Sequence, residues 1–172
     1  MTEYTLRDVK EKDWRQIWTW RNREEIRRHM YNNQPIEWDS HLEWMKKEQK
    51  NTQAHAKIFV SGKRPLGFVR FSDIDRVHKR CLWGFYIGDP AAPKGAGTEM
   101  GKLALDYIFK QEPVHKVCAE VLSSNTGSVR YHEKLGFVQE GRLCSHWNRG
   151  GVFLDVILLA LFKEDWEGKE WR

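Results

Sequence analysis

Two segments of the chain gather residue types that can hold a phosphate-bearing molecule and move a proton beside it. In Pro93-Lys-Gly-Ala-Gly-Thr98, two glycines stand just ahead of a run with helical periodicity. Glycines let backbone N–H groups turn toward one point, where the positive end of the following helix also lies. Such a point binds pyrophosphate, and Lys94 adds a point charge. A plain tight turn before a helix accounts for the same residues. The second segment is Asn125-Thr-Gly-Ser-Val-Arg-Tyr-His-Glu-Lys-Leu-Gly-Phe137. It opens on a helix-capping residue and closes on Gly136, suited to a left-handed C′ position, with Phe137 as the apolar follow-on. Within it His132 titrates near neutral pH when unperturbed. A half-buried helix histidine without chemistry is the competing reading. Cys118 has no specific histidine to activate it as a nucleophile and is read as packing.

These segments need elements to place them. Tyr4 to Val9 has the character of a short strand. Asp13 fits a helix N-cap with Gln16 three residues on, and Trp14, Ile17 and Trp18 follow at helical spacing. A second helical piece is predicted over Glu24 to Met30 and ends before Pro35. A third follows Ser40 as its cap. Ala56 to Val60, Leu66 to Phe71 and Cys81 to Ile87 read as strands, with a turn at 61–65. Met100, Leu103, Ala104, Tyr107 and Ile108 form one apolar helix face, stopped at Pro113. Val114 to Leu122, Phe137 to Trp147 and Val152 to Phe162 supply three more strands. This order predicts an α/β (α+β) fold, with a mixed, mostly antiparallel central sheet and helices on both faces.

The 172 residues suit a single domain spanning 1–172. Apolar residues at 40% are enough for one core, and no apolar run is long enough to span a bilayer. The first residues are charged, unlike a signal peptide, so the expected compartment is the cytoplasm, with no membrane partner. Cys81, Cys118 and Cys144 are far apart and lack CxxC spacing, which argues against a disulfide framework or a zinc site and for buried, reduced thiols. The formal charge of +5 and nine tryptophans allow a nucleic-acid module. Alternating charges in RNREEIRR and MKKEQK read more simply as solvated helix faces, and no nucleic-acid partner is expected.

Taken together, the glycine loop and the Asn125-to-Phe137 helix resemble the Gcn5-related N-acetyltransferase (GNAT) superfamily. The resemblance implies acetyl transfer from acetyl-CoA to an amine, with no metal. It places the pantetheine arm on backbone groups of Phe85, Tyr86 and Ile87 and on the amide of Asn125. The pyrophosphate falls to Lys94, Gly95, Ala96, Gly97 and Thr98. Ala92 stands where relatives usually carry Gln or Arg. His132 occupies the place of the acid that protonates the departing thiolate, with Tyr131 as fallback. Glu120 becomes the candidate base or amine-orienting group, and an outward strand carboxylate is its competing reading.

A narrower resemblance is to the nucleotide-sugar acetyltransferases of pseudaminic acid biosynthesis. It rests on Trp20-Arg-Asn22, Arg27 to Tyr31, His41 with Trp44, and Trp83-Gly84 with Tyr86. It implies a UDP-linked 4-amino sugar as acceptor. Arg21 (or Arg28) would face the diphosphate, Met30 and Tyr31 would close on the base, and His41, Trp44 and Trp83 would line the site. Ribosomal-protein N-terminal or polyamine acetylation is the enzymatic alternative, and a coenzyme A or nucleic-acid binding module the other. The cluster Arg21, Arg23, Arg27, Arg28 and His29 favours an anionic acceptor. The sequence leaves the oligomeric state open, a homodimer among the alternatives.

Overall fold

The computed structural model describes residues 3–169. One seven-stranded sheet organises the chain. Its strands are β1 (Tyr4–Asp8), β2 (His55–Ser61), β3 (Arg64–Asp75), β4 (Arg80–Ile87), β5 (Lys116–Leu122), β6 (Val138–Arg149) and β7 (Val152–Phe162). Their spatial order is β1-β2-β3-β4-β5-β7-β6, antiparallel throughout except for the β4–β5 pair. The helices are α1 (Trp14–Arg21), α2 (Glu24–Arg27), α3 (Trp38–Glu48), α4 (Ala96–Gln111), α5 (Thr126–Leu135) and α6 (Lys163–Glu167).

Strand alternation divides the core in two. In β2, Ile58 and Val60 pack with Trp14, Ile17, Trp20, Ile26 and Met45 of α1, α2 and α3. Phe59, between them, joins the cluster that α4 buries with Met100, Ala104, Leu105, Ile108 and Phe109. Because successive strand residues point to opposite faces, one strand serves both layers, which puts helices on both faces as expected.

Asn125 caps α5 by accepting from Ser128 N at 3.2 Å, and Gly136 takes a left-handed φ of 98°. Asp13 differs from expectation: its carboxylate does not cap α1. It takes two bonds from Arg7, at 2.7 and 2.9 Å, and one from Lys10 N, closing a short 3-10 turn over Glu11–Asp13 before α1. Ser40 is likewise no cap, since α3 begins at Trp38 after an extended Glu37. The second helical piece stops at Arg27 rather than Met30. Of the cysteines only Cys81 is buried, and Cys144 is exposed on β6.

Candidate active site

The site begins where two strands part. β4 and β5 pair only from Arg80–Leu82 to Lys116–Cys118. Beyond that point Trp83–Ile87 and Ala119–Leu122 diverge, each still paired on its outer edge, to β3 and β7. Their inner edges therefore present backbone groups to a gap rather than to each other, and such groups need partners. An extended ligand carrying amides fits between them.

At the far end of that gap lies the glycine loop. Gly95 adopts φ 89°, a left-handed conformation open to glycine, and starts α4. Among the described residues, the amides of Gly95 and Gly97 donate to no protein acceptor, whereas those of Ala96 and Thr98 bond to Pro93 O and Gly95 O. Free N–H groups at a helix N-terminus suit an anion. Lys94 is exposed beside them. Lys134 of α5 reaches Thr98 Oγ1 at 3.3 Å and brings a second cation that the sequence reading missed. Its only sequence signal was its place one turn after Arg130 on the capped helix. These residues fit a coenzyme A pyrophosphate, and the parted strands fit its amide-bearing arm.

Along the parted strands a cavity of about 400 Å³ opens. Of the expected residues it gathers Arg21, Met30, His41, Trp44, Trp83, Phe85, Tyr86, Glu120, Asn125 and His132. Ile87, Lys94–Thr98, Tyr31 and Tyr131 lie outside its walls. Ile17, Ile36 and Phe68 add apolar surface, and Ser128 a hydroxyl. None of these four was singled out, because nothing in their local sequence distinguishes a cavity wall from a core.

His132 is 2% exposed. Its Nδ1 lies 2.7 Å from Ser128 O, an acceptor, so that nitrogen carries the ring proton. Nε2 then accepts from the Trp83 indole N–H at 3.2 Å. Burial pushes the imidazole pKa down to about 4, against a smaller raising effect of the Ser128 carbonyl. The ring is neutral and fully engaged, so the expectation of a proton-donating His132 does not match its geometry. The Tyr131 hydroxyl donates to Gly97 O at 2.6 Å, and burial raises its pKa. It fastens α5 to the first turn of α4.

Glu120, near the end of β5, is exposed at the mouth and accepts from the Tyr31 hydroxyl at 2.6 Å. Burial and this carboxylate both raise the Tyr31 pKa, so the phenol holds its proton. Tyr31 is itself fixed from the β6–β7 hairpin. Trp147 donates to its carbonyl at 3.1 Å and packs its ring 4.5 Å away, while Arg149 donates to Arg28 O and Met30 O.

Of the arginines expected to face an anionic acceptor, Arg23 and Arg27 are occupied elsewhere, while Arg21 lines the cavity with Nη1 buried and, among the described residues, unpaired. Arg21 donates to Asn32 O at 2.9 Å and Arg23 to Gly88 O at 2.7 Å. Arg27 donates to Asn22 O and Asn33 O. Asn22 exchanges two bonds with the backbone of Ile36, at 2.8 and 2.9 Å. The Trp20-Arg-Asn22 stretch thus fastens the loop between α2 and α3, because that loop's carbonyls have no strand or helix to pair with. Arg70, the other cavity arginine, is neutralised by two bonds to Glu48. Among the described residues no group of His, Cys, Asp and Glu could hold a metal ion. No helix there is long and apolar enough to cross a membrane.

Comparison with known proteins gives a consistent picture. The acetyltransferase (GNAT) domain family matches residues 4–138. An uncharacterised prophage-derived N-acetyltransferase of Bacillus subtilis is 30% identical over 73% of this chain and 71% of its own length. A spermidine N(1)-acetyltransferase of Vibrio cholerae is 27% identical over 90% of both chains. A crystal structure of a spermidine N-acetyltransferase from Vibrio cholerae, in complex with CoA and spermine, superposes with a TM-score of 0.89. It covers 96% of this chain and 98% of its own at 24% identity, a likeness of fold.

Proposed function

From the premise that the chain belongs to the GNAT acetyltransferase family, we propose that it moves the acetyl group of acetyl-CoA to the primary amine of a small aliphatic molecule. The observation that carries this reading is the placement of Glu120. One carboxylate stands at the mouth of a largely apolar cavity, beside the parted strands. The names of the spermidine acetyltransferases similar to this chain support polyamines as the first acceptors to assay. Support for a nucleotide sugar is weaker, because Arg23 and Arg27 hold backbone carbonyls and, of the arginine cluster, Arg21 alone lines the cavity.

Acetyl-CoA, when bound, supplies an acetyl group activated as a thioester. The chain's own residues bind and orient. Gly95 and Gly97 turn free amides toward the pyrophosphate, with Lys94 and Lys134 alongside. The inner edges of Trp83–Ile87 and Ala119–Leu122 hold the arm extended, and the apolar walls keep water from the reacting end. An amine enters as ammonium and replaces the Tyr31 hydroxyl as the donor to Glu120. The carboxylate takes the proton and, being exposed, passes it to water, leaving a neutral nucleophile. His132 acts as a positioning residue, holding Trp83 against the cavity.

The test is the purified protein with acetyl-CoA and spermidine, 1,4-diaminobutane or butylamine, read by mass spectrometry. Acetylated amine with matching free thiol is the expected result. Unmodified amines at every pH from 6 to 9 would refute the assignment.

A further inference from the structure

We propose that His41 Nδ1 is a specificity-determining hydrogen-bond acceptor, which reads an N–H or O–H donor on the acceptor molecule away from the amine that is acetylated. The inference rests on the acetyl-transfer reading and narrows its substrate class to bifunctional amines.

The argument starts from one bond. His41, in α3, is 3% exposed, and its Nε2 lies 3.0 Å from the Trp14 carbonyl. A carbonyl only accepts, so Nε2 carries the proton. Burial lowers the ring's pKa, the Trp14 bond opposes this, and the charge of Arg21 adds to the lowering. A neutral imidazole with one N–H leaves a bare lone pair on the other nitrogen, here Nδ1. Among the described residues no donor reaches it, yet His41 lines the cavity. Trp38 and Trp44 flank the ring, with centroids 5.8 and 5.9 Å away, and keep it from turning aside.

Of the cavity's other strong polar groups, Arg21 keeps Nη1 buried and, among the described residues, unpaired, a donor that cannot satisfy the same kind of ligand group as His41 Nδ1, while three more are engaged. Arg70 is tied to Glu48, His132 to Ser128 and Trp83, and Glu120 to a hydroxyl that an ammonium can replace. A neutral acceptor that lines a cavity and has no protein donor is free to bond a ligand, so a ligand that donates to it is preferred over one that does not. Glu120 from β5 and His41 from α3 border the same cavity from different walls. One molecule with an amine for the first and a donor for the second satisfies both. A hydroxyl, an amide N–H or a second amine would each serve.

The experiment compares butylamine, 4-amino-1-butanol and 1,4-diaminobutane as acceptors. Wild-type protein is set beside His41→Gln, which keeps a side-chain N–H near the Nε2 position but has no acceptor at Nδ1. His41→Asn, whose carbonyl oxygen falls near Nδ1, serves as the rescue. One neutral hydrogen bond is worth about 0.5–1.5 kcal/mol, so kcat/KM should favour at least one donor-bearing amine by about three- to tenfold over butylamine. That ratio should fall to about one in His41→Gln and partly return in His41→Asn. The ranking of alcohol against diamine identifies the donor. In wild-type protein with labelled histidine, the 15N resonance of Nδ1 should move upfield with the preferred amine and stay fixed with butylamine. Equal turnover of all three amines, or a preference unchanged in folded His41→Gln, overturns the inference while acetyl transfer stands. Inert butylamine together with inert partners would overturn both.

Discussion

A buried histidine leaves a mark on stability as well as on the site. His132 titrates at about 4 in the fold against about 6.5 in an unfolded chain. Between those values the unfolded chain binds the extra proton. Stability is therefore full above pH 6.5 and declines as pH falls toward 4, by about 3 kcal/mol. His41, shifted in the same direction, deepens the decline. Denaturant unfolding at pH 7 and pH 4.5 should show this loss, and His132→Phe should reduce the difference between the two. A slope unchanged in that variant would place the titration elsewhere. At Glu120, replacement by Gln should lower turnover about a hundredfold or more with coenzyme A affinity unchanged. An undiminished rate would remove Glu120 from proton transfer. Residue type singled out His132, and the family resemblance Glu120. They were silent on whether each nitrogen would find a partner: Ser128 O lies one helical turn back, but Trp83 comes from a strand 49 residues away.

Among the elements, helix α4 and its neighbours carry the clearest consequences. A Cβ on Gly97 would meet Ile87 at 3.6 Å, an ordinary contact, so Gly97→Val should fold and lose coenzyme A affinity instead. Calorimetry showing wild-type affinity would contradict the phosphate cradle. Gly101 is different: a Cβ there would fall 2.3 Å from the Tyr131 hydroxyl, which is already held by Gly97 O. Gly101→Ala should cost about 1–3 kcal/mol in thermal unfolding. The periodicity of α4 and the caps of α5 were readable because they depend on neighbours in sequence. The fastening of the acceptor loop was not, since Arg21, Asn22 and Arg27 serve carbonyls up to 14 residues away that no local pattern reveals. The β6–β7 hairpin acts on the same loop. Trp147→Ala should free Tyr31 and raise the KM for amine several-fold, with coenzyme A binding intact; an unchanged KM would show that the loop keeps its place alone.

For the molecule as a whole, sheet order explains why one site faces two ligands. The change from antiparallel to parallel pairing at β4–β5 ends after three residue pairs, and the sheet opens there. The glycine loop leads out of β4, and α5 follows β5, so both phosphate cradle and capped helix lie along the opening. The acceptor cavity is closed by α1, α3 and the loop between α2 and α3. The order of strands and helices was legible from their apolar patterns; the length over which two neighbours stay paired was not, because it depends on what packs across the sheet. The central claim is that this opening delivers acetyl-CoA to a small amine. Its most direct test is the release of free thiol from acetyl-CoA by the purified protein, measured with and without spermidine, diamine and monoamine. Amine-dependent release that matches acetylated product is what the account predicts. Thiol release indifferent to amine, or none with any of them, would contradict it.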